Sequence, residues 1–136
     1  PLHRLVAPAG SYTGGMSLDP EQTERILAIA QDLAREGRTE ELEEFLEHGL
    51  PVEVTDHDGN TLLMLAAYHD QPATVRMLLD HGASPDTRNG RDQSPIAGAL
   101  FKGADEVVEM LKGAGADLDA GTPSARQAAE MFGRPL

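Results

Sequence analysis

The chain of 136 residues contains no cysteine. That excludes a disulfide framework, a thiolate metal site and a cysteine nucleophile. Tryptophan is also missing, and aromatic residues make up only 4% of the chain. With 40% apolar residues, the interior must be built from Leu, Ala, Val, Ile and Met, the composition of small helices packed closely. Positive charge is scarce too: 11 Lys and Arg stand against 23 Asp and Glu, a net charge of -12. A basic footprint for wrapping nucleic acid is lacking, as is attraction to an anionic membrane face. Such a balance steers the chain toward a basic protein or peptide partner. No apolar run approaches a membrane span, and the first residues lack the charged-then-apolar pattern of a signal peptide. A soluble, cytoplasmic protein is expected, and the excess of Arg over Lys points to a high-GC bacterial genome. The length suits one domain or a short repeat array.

Self-similarity organises what is present. Shifting Gly59–Asp86 by 33 residues lays it on Asp92–Asp119. Ala66, Val75, Met77, Leu78, Gly82, Ala83 and Asp86 then meet identical residues, and Tyr68 meets Phe101. The opposite shift places Ala67, Leu79, His81 and Gly82 on Ala34, Leu46, His48 and Gly49. An abbreviated last copy begins at Ser124, whose spacing to Ala129 and Gly133 repeats that of Ser94 to Ala99 and Gly103.

Helix signals follow the same period. Asp19 can cap a helix with Pro20 at its first position and Gln22 closing a capping box, and Gly37 stops it. Thr39 is expected to cap a second helix carrying Leu42, Phe45 and Leu46. Pro72 opens another, with Val75, Leu78 and Leu79 on one face, and Asp105–Lys112 carries Val107, Val108 and Leu111. Between the pairs lie turn-rich pieces, Pro51–Asn60, Ser84–Gln93 and Leu118–Pro123. Antiparallel helices alternating with protruding turns are what a helical solenoid requires.

The run Asp56-His57-Asp58-Gly59-Asn60-Thr61-Leu62-Leu63-Met64-Leu65-Ala66-Ala67, continued by Val75 to Asp86, resembles an ankyrin repeat. The resemblance covers roughly residues 20–133. It implies an all-α, ankyrin-like solenoid of about 3.5 repeats and a non-enzymatic, protein-binding adaptor that uses its concave face. An inhibitor or immunity-type protein that occludes a basic enzyme is the alternative reading. Leu62 and Met64 stand where the family usually has Pro and His. The missing His implies lost loop-bridging hydrogen bonds and a looser stack. Gly98, inside an expected helix, costs about 1 kcal/mol relative to Ala.

The resemblance also implies which positions meet a partner. They fall on Arg35 in the first copy; on Thr55, His57, Asp58, Asn60, Tyr68 and His69 in the second; and on Arg88, Arg91, Gln93, Phe101 and Lys102 in the third. Tyr68 and Phe101 share one repeat position and read either as interface anchors or as rings packed on the neighbouring helix. No cofactor or metal is expected. Asp56, Asp58 and Asn60 alternate like the start of a calcium loop, but Thr61 replaces the required Gly and Ala67 the bidentate Glu. His48 and His81 precede repeat-ending glycines and read as helix C-caps. His69 beside Asp70 lacks a nucleophile that would complete a catalytic set. The acidic run Glu40–Glu47 reads as a solvated convex face.

Residues 1–16 lack a helical period and read as an extended arm ahead of a repeat domain spanning 17–136. Leu2, Leu5, Val6 and Tyr12 offer apolar anchors, and His3 and Arg4 positive charge. The expectation is that the arm packs on a repeat surface, its own or a second copy's, allowing self-association.

Overall fold

The computed structural model describes residues 19–136; the expected arm and the start of the repeat domain at residue 17 lie outside the described residues. Seven helices follow in order: α1 Pro20–Glu36, α2 Thr39–Glu47, α3 Leu62–Tyr68, α4 Pro72–Asp80, α5 Pro95–Lys102, α6 Asp105–Gly113 and α7 Ala125–Phe132. The odd-numbered helices pack on one another in series, and the even-numbered ones form a second layer behind them. This is the all-α solenoid of three helix pairs and a terminal single helix. Among the described residues the one isolated bridge pairs Thr55 with Thr61 at the base of the first protruding turn.

Local chemistry places the helix ends. Asp19 and Gln22 form the expected capping box on α1, and Gly37 closes it in the left-handed region at φ 74. Thr61, Ser94 and Ser124 each cap an odd-numbered helix by accepting from the backbone N–H three residues on. Thr39 does not cap α2. Arg38 holds that position without a side-chain bond, and Thr39 is the first helical residue. Its hydroxyl instead lies 2.7 Å from that of Thr74, a fully buried residue of α4. The pair satisfies both hydroxyls where two even-numbered helices meet. His48 and His81 are the C-caps of α2 and α4, as the sequence suggests. The His48 ring nitrogen sits 2.8 Å from the Glu44 carbonyl, and His81 lies 2.9 Å from the Glu43 carboxylate of the preceding repeat.

The core is aliphatic apart from Phe45 of α2 and a few methionines. Leu42, Leu62, Leu63, Leu78, Ile96 and Leu111 are fully buried, with Ala66, Ala67 and Ala99 between the odd-numbered helices. Small residues there let helix axes approach closely, and each buried Leu is worth about 2–5 kcal/mol against truncation to Ala.

The protruding turns are tied together despite the missing His. The Gly90 N–H donates to the Asp58 carbonyl at 2.8 Å, and the Asn89 amide donates to the Asn60 side chain at 2.8 Å. One repeat later, the Thr122 N–H donates to the Asp92 carbonyl at 2.8 Å. The first of these contacts needs glycine. A Cβ on Gly90 would stand 3.1 Å from the Asp58 oxygen, and one on Gly59, at φ 82, would stand 3.0 Å from the Gly90 nitrogen. Loop bridging, which the resemblance implied was lost, is carried by backbone and amide groups instead.

Candidate functional site

A groove of about 360 Å³ runs between the odd-numbered helices and the turns. Its apolar floor comes from Met64 and Leu65 of α3, Ala97 and Gly98 of α5, and the rings of Tyr68, Phe101 and Phe132. The turns supply a polar wall of Asp58, Asn60, Asn89, Arg91 and Gln93.

The rings form a ladder across three repeats. Tyr68 and Phe101 stack with centroids 6.0 Å apart and planes inclined by 6°, and Phe132 meets Phe101 edge-on at 5.4 Å. Both sequence readings of Tyr68 and Phe101 therefore hold in part. The rings pack on each other, yet Tyr68 keeps 39% of its surface exposed, Phe101 55% and Phe132 37%. Lys102 places its ammonium 5.0 Å from the Tyr68 centroid, a cation–π geometry, and His69 meets the same ring edge-on at 5.5 Å. Gly98 faces Tyr68 directly; a Cβ there would lie 3.5 Å from the ring, an ordinary contact.

The polar wall is held rigidly by one motif used twice. The Asp56 carboxylate accepts from the Asp58 and Asn60 N–H groups and the Asn60 amide, at 2.9, 2.9 and 3.0 Å. Asn89, at the equivalent repeat position, accepts from the Arg91 and Gln93 N–H groups at 3.0 Å each. Burial alone would raise the Asp56 pKa, but the Asn60 and Asp58 hydrogen bonds, with the charge of Arg35, hold it below its ordinary value. That carboxylate is spent on closing a turn, and no cluster of three or more His, Cys, Asp and Glu suited to a metal occurs among the described residues. His69 is depressed below its ordinary pKa by burial and then by the positive charges of Arg35 and Lys102.

Of the residues singled out from sequence, the groove brings together Asp58, Asn60, Tyr68, Arg91, Gln93 and Phe101. His69 and Lys102 border it through the Tyr68 ring. The rest stand outside its lining. Arg35 pairs with Asp32 at 2.9 Å and Arg88 with Asp92 at 3.0 Å. His57 extends to 3.4 Å from Glu24 of α1, and Thr55 is held in its bridge to Thr61. Phe132 and Asn89 were missed. Asn89 is signalled only by its equivalence to Asp56. Phe132 is hidden because the last copy is offset by 30 residues, which aligns Ser94 with Ser124 and sets Met131, not Phe132, against Phe101.

Comparison with known proteins agrees with this architecture. The family model of ankyrin repeats, in three copies, matches residues 30–122. A Pseudomonas aeruginosa protein named as an ankyrin repeat protein is 43% identical over 56 residues, covering 41% of this chain and 33% of its own. Mouse oxysterol-binding protein-related protein 1 is 35% identical over 99 residues, covering 71% of this chain and 10% of its own. The chain thus spans a third or less of these curated relatives. The crystal structure of the human ASB11 ankyrin repeat domain superposes with a TM-score of 0.63 at 22% identity, over 65% of this chain and 40% of that one. No described helix is long and apolar enough to cross a membrane. Repeat period, capping pattern, two-layer stack and family match converge: the chain belongs to the ankyrin-repeat family.

Proposed function

We propose that this chain is a non-enzymatic adaptor module that binds a protein segment in the groove between its odd-numbered helices and its turns. Ankyrin repeats are in general protein-binding modules, and the observation that supports this use of the groove is the ladder of Tyr68, Phe101 and Phe132. Three of the chain's five aromatic residues meet in one exposed row, an expensive arrangement for a surface that meets only water. Aromatic residues dominate the energetics of protein interfaces because they bury large areas at low entropic cost. Around the ladder stand amides and charges able to orient a bound backbone. A cytoplasmic setting accords with this reading.

The test is site-specific crosslinking in host cells. A photo-reactive residue replacing Gln93, at the groove, is expected to capture a protein, with capture lost in the Tyr68→Ala/Phe101→Ala variant. The same residue replacing Glu109 on α6 is expected to capture nothing. Capture from Glu109 alone would overturn the groove reading.

A second reading, inhibition of a basic enzyme by occlusion, is favoured by one observation. Glu40, Glu41, Glu44 and Glu47 on α2 and Asp105, Glu106 and Glu109 on α6 are all exposed on the even-numbered layer. An occluding complex through that face would form fastest at low salt and slow as screening grows. An on-rate flat with ionic strength would remove it. Self-association through residues 1–16 rests on their sequence alone, and the solution mass after deleting Pro1–Gly15 tests it.

A further inference from the structure

The chain's charge is acidic, yet the groove is not. Asp58 is its single lining carboxylate. Most of the described cations are compensated: Arg25, Arg35, Arg38, Arg88, Lys112 and Arg126 each sit within ion-pair distance of an Asp or Glu. Those with no such pair among the described residues are Arg76, Arg91, Lys102 and Arg134. Arg76 lies on the even-numbered layer, in a cleft shared with Asp80, Glu106 and Glu109. Arg91 and Lys102 stand at the groove, whereas Arg134 lies in a separate cleft with Arg126, Glu130 and Leu136. Arg91 lines the groove's polar wall, and Lys102 borders the Tyr68 ring. Arg134 lays its guanidinium on Gly103, the residue after Lys102, with its Nε–H buried and lacking an acceptor.

With carboxylates outnumbering basic residues two to one, unpaired cations at the same groove need a reason. Intramolecular partners are abundant elsewhere on the surface, and an unpaired cation beside an apolar floor attracts an anionic group carried by a ligand. The ring ladder asks for apolar side chains; Arg91 on the polar wall and Lys102 over the Tyr68 ring ask for carboxylates beside them. From this juxtaposition we infer that the groove selects an acidic, apolar-centred peptide segment, in which aromatic or aliphatic anchors sit on the ladder and Asp or Glu residues flank them. This rests on the groove reading above and names the chemistry of its partner. It also separates the two faces by charge, since a basic partner would be drawn to α2 and α6.

The experiment uses the full chain and three synthetic, end-blocked nonapeptides. They share a central Phe-Ala-Leu and carry Glu, Gln or Lys at every flanking position. Binding is followed by fluorescence anisotropy at low and high salt. The Glu peptide is expected to bind more tightly than the Gln peptide, and at least about fivefold more tightly than the Lys peptide at low salt. The difference should shrink as salt rises. In Arg91→Glu/Lys102→Glu, with folding verified by circular dichroism, the order should reverse. The milder Arg91→Gln/Lys102→Gln should abolish the preference if the charge-reversed chain does not fold. Equal binding of the Glu and Gln peptides, lost in Tyr68→Ala, would overturn the charge selection and leave the groove reading standing. A preference for the Lys peptide would overturn it outright. Binding of none of the three at any salt would overturn both.

Discussion

The two helix layers face water with opposite chemistry. On the even-numbered layer, carboxylates of α2 and α6 dominate; Arg38 pairs with Glu41, His81 meets Glu43 of the preceding repeat, and Arg76 shares a cleft with Asp80, Glu106 and Glu109. The odd-numbered layer buries alanines between its helices and ends them in exposed rings, and beside them Arg91 and Lys102 have no ion pair among the described residues. Both layers are built from the same repeat, so neither stacking nor solubility accounts for the difference. A repeat needs its aliphatic core everywhere; it needs a row of exposed aromatics only where something binds. The contrast supports the groove proposed above as the interaction face, with the acidic layer a solvated one.

Binding should show the largest effect. Tyr68→Ala and Phe101→Ala are each expected to weaken partner affinity by about 2 kcal/mol, while a Gln quadruple variant at Glu40, Glu41, Glu44 and Glu47 leaves it unchanged. Titration calorimetry with the crosslinked partner checks both, and the reverse pattern would place the site on the acidic layer. Unfolding of both ring variants, with affinity per folded molecule unchanged, would make the ladder part of the core.

Next comes the wall that separates groove from solvent. Asp56→Ala removes a carboxylate that accepts three hydrogen bonds and should lower unfolding free energy by about 1.5 kcal/mol in urea titration. Because the folded-state pKa lies below the ordinary 3.8, this contribution is complete above that pH. It is lost as pH falls through the folded value. Stability of the variant that falls in parallel with the parent chain through that acid range would deny Asp56 its role.

Gly98→Ala sharpens the comparison from the groove floor. The added Cβ meets Tyr68 at an ordinary contact distance, so helix propensity should raise stability by about 1 kcal/mol while the shallower floor weakens binding. A stabilised chain with tighter binding would show that the floor is not used. The smallest effect concerns His69. Its depressed pKa means that stability is full above about 6.5 and declines as pH falls below it, since the unfolded chain then takes up the proton first. A bound acidic segment should move that pKa upward in an NMR titration, whereas a basic one should lower it further.

Much of this molecule is local and therefore readable from the chain. Capping boxes at Asp19 and Ser124, helix-stopping Gly37 and Gly103, and a 33-residue recurrence of Val75, Leu78 and Gly82 act within a few residues or through a fixed period. They determine the helices, the buried face and the family. The same period aligns Tyr68 with Phe101, so the centre of the groove was visible before any contact was known. What required the tertiary structure depends on groups meeting across repeats. Thr39 has the chemistry of a cap, but its hydroxyl reaches Thr74 of the next repeat. Phe132 joins the ladder although it lies one position past the repeat equivalent of Phe101, which a constant period cannot express. Most of all, a net charge sums every residue without regard to place. Only the fold decided which cations found carboxylates, and among the described residues it left Arg91 and Lys102 without them beside an apolar floor, because ion pairing depends on distance rather than composition.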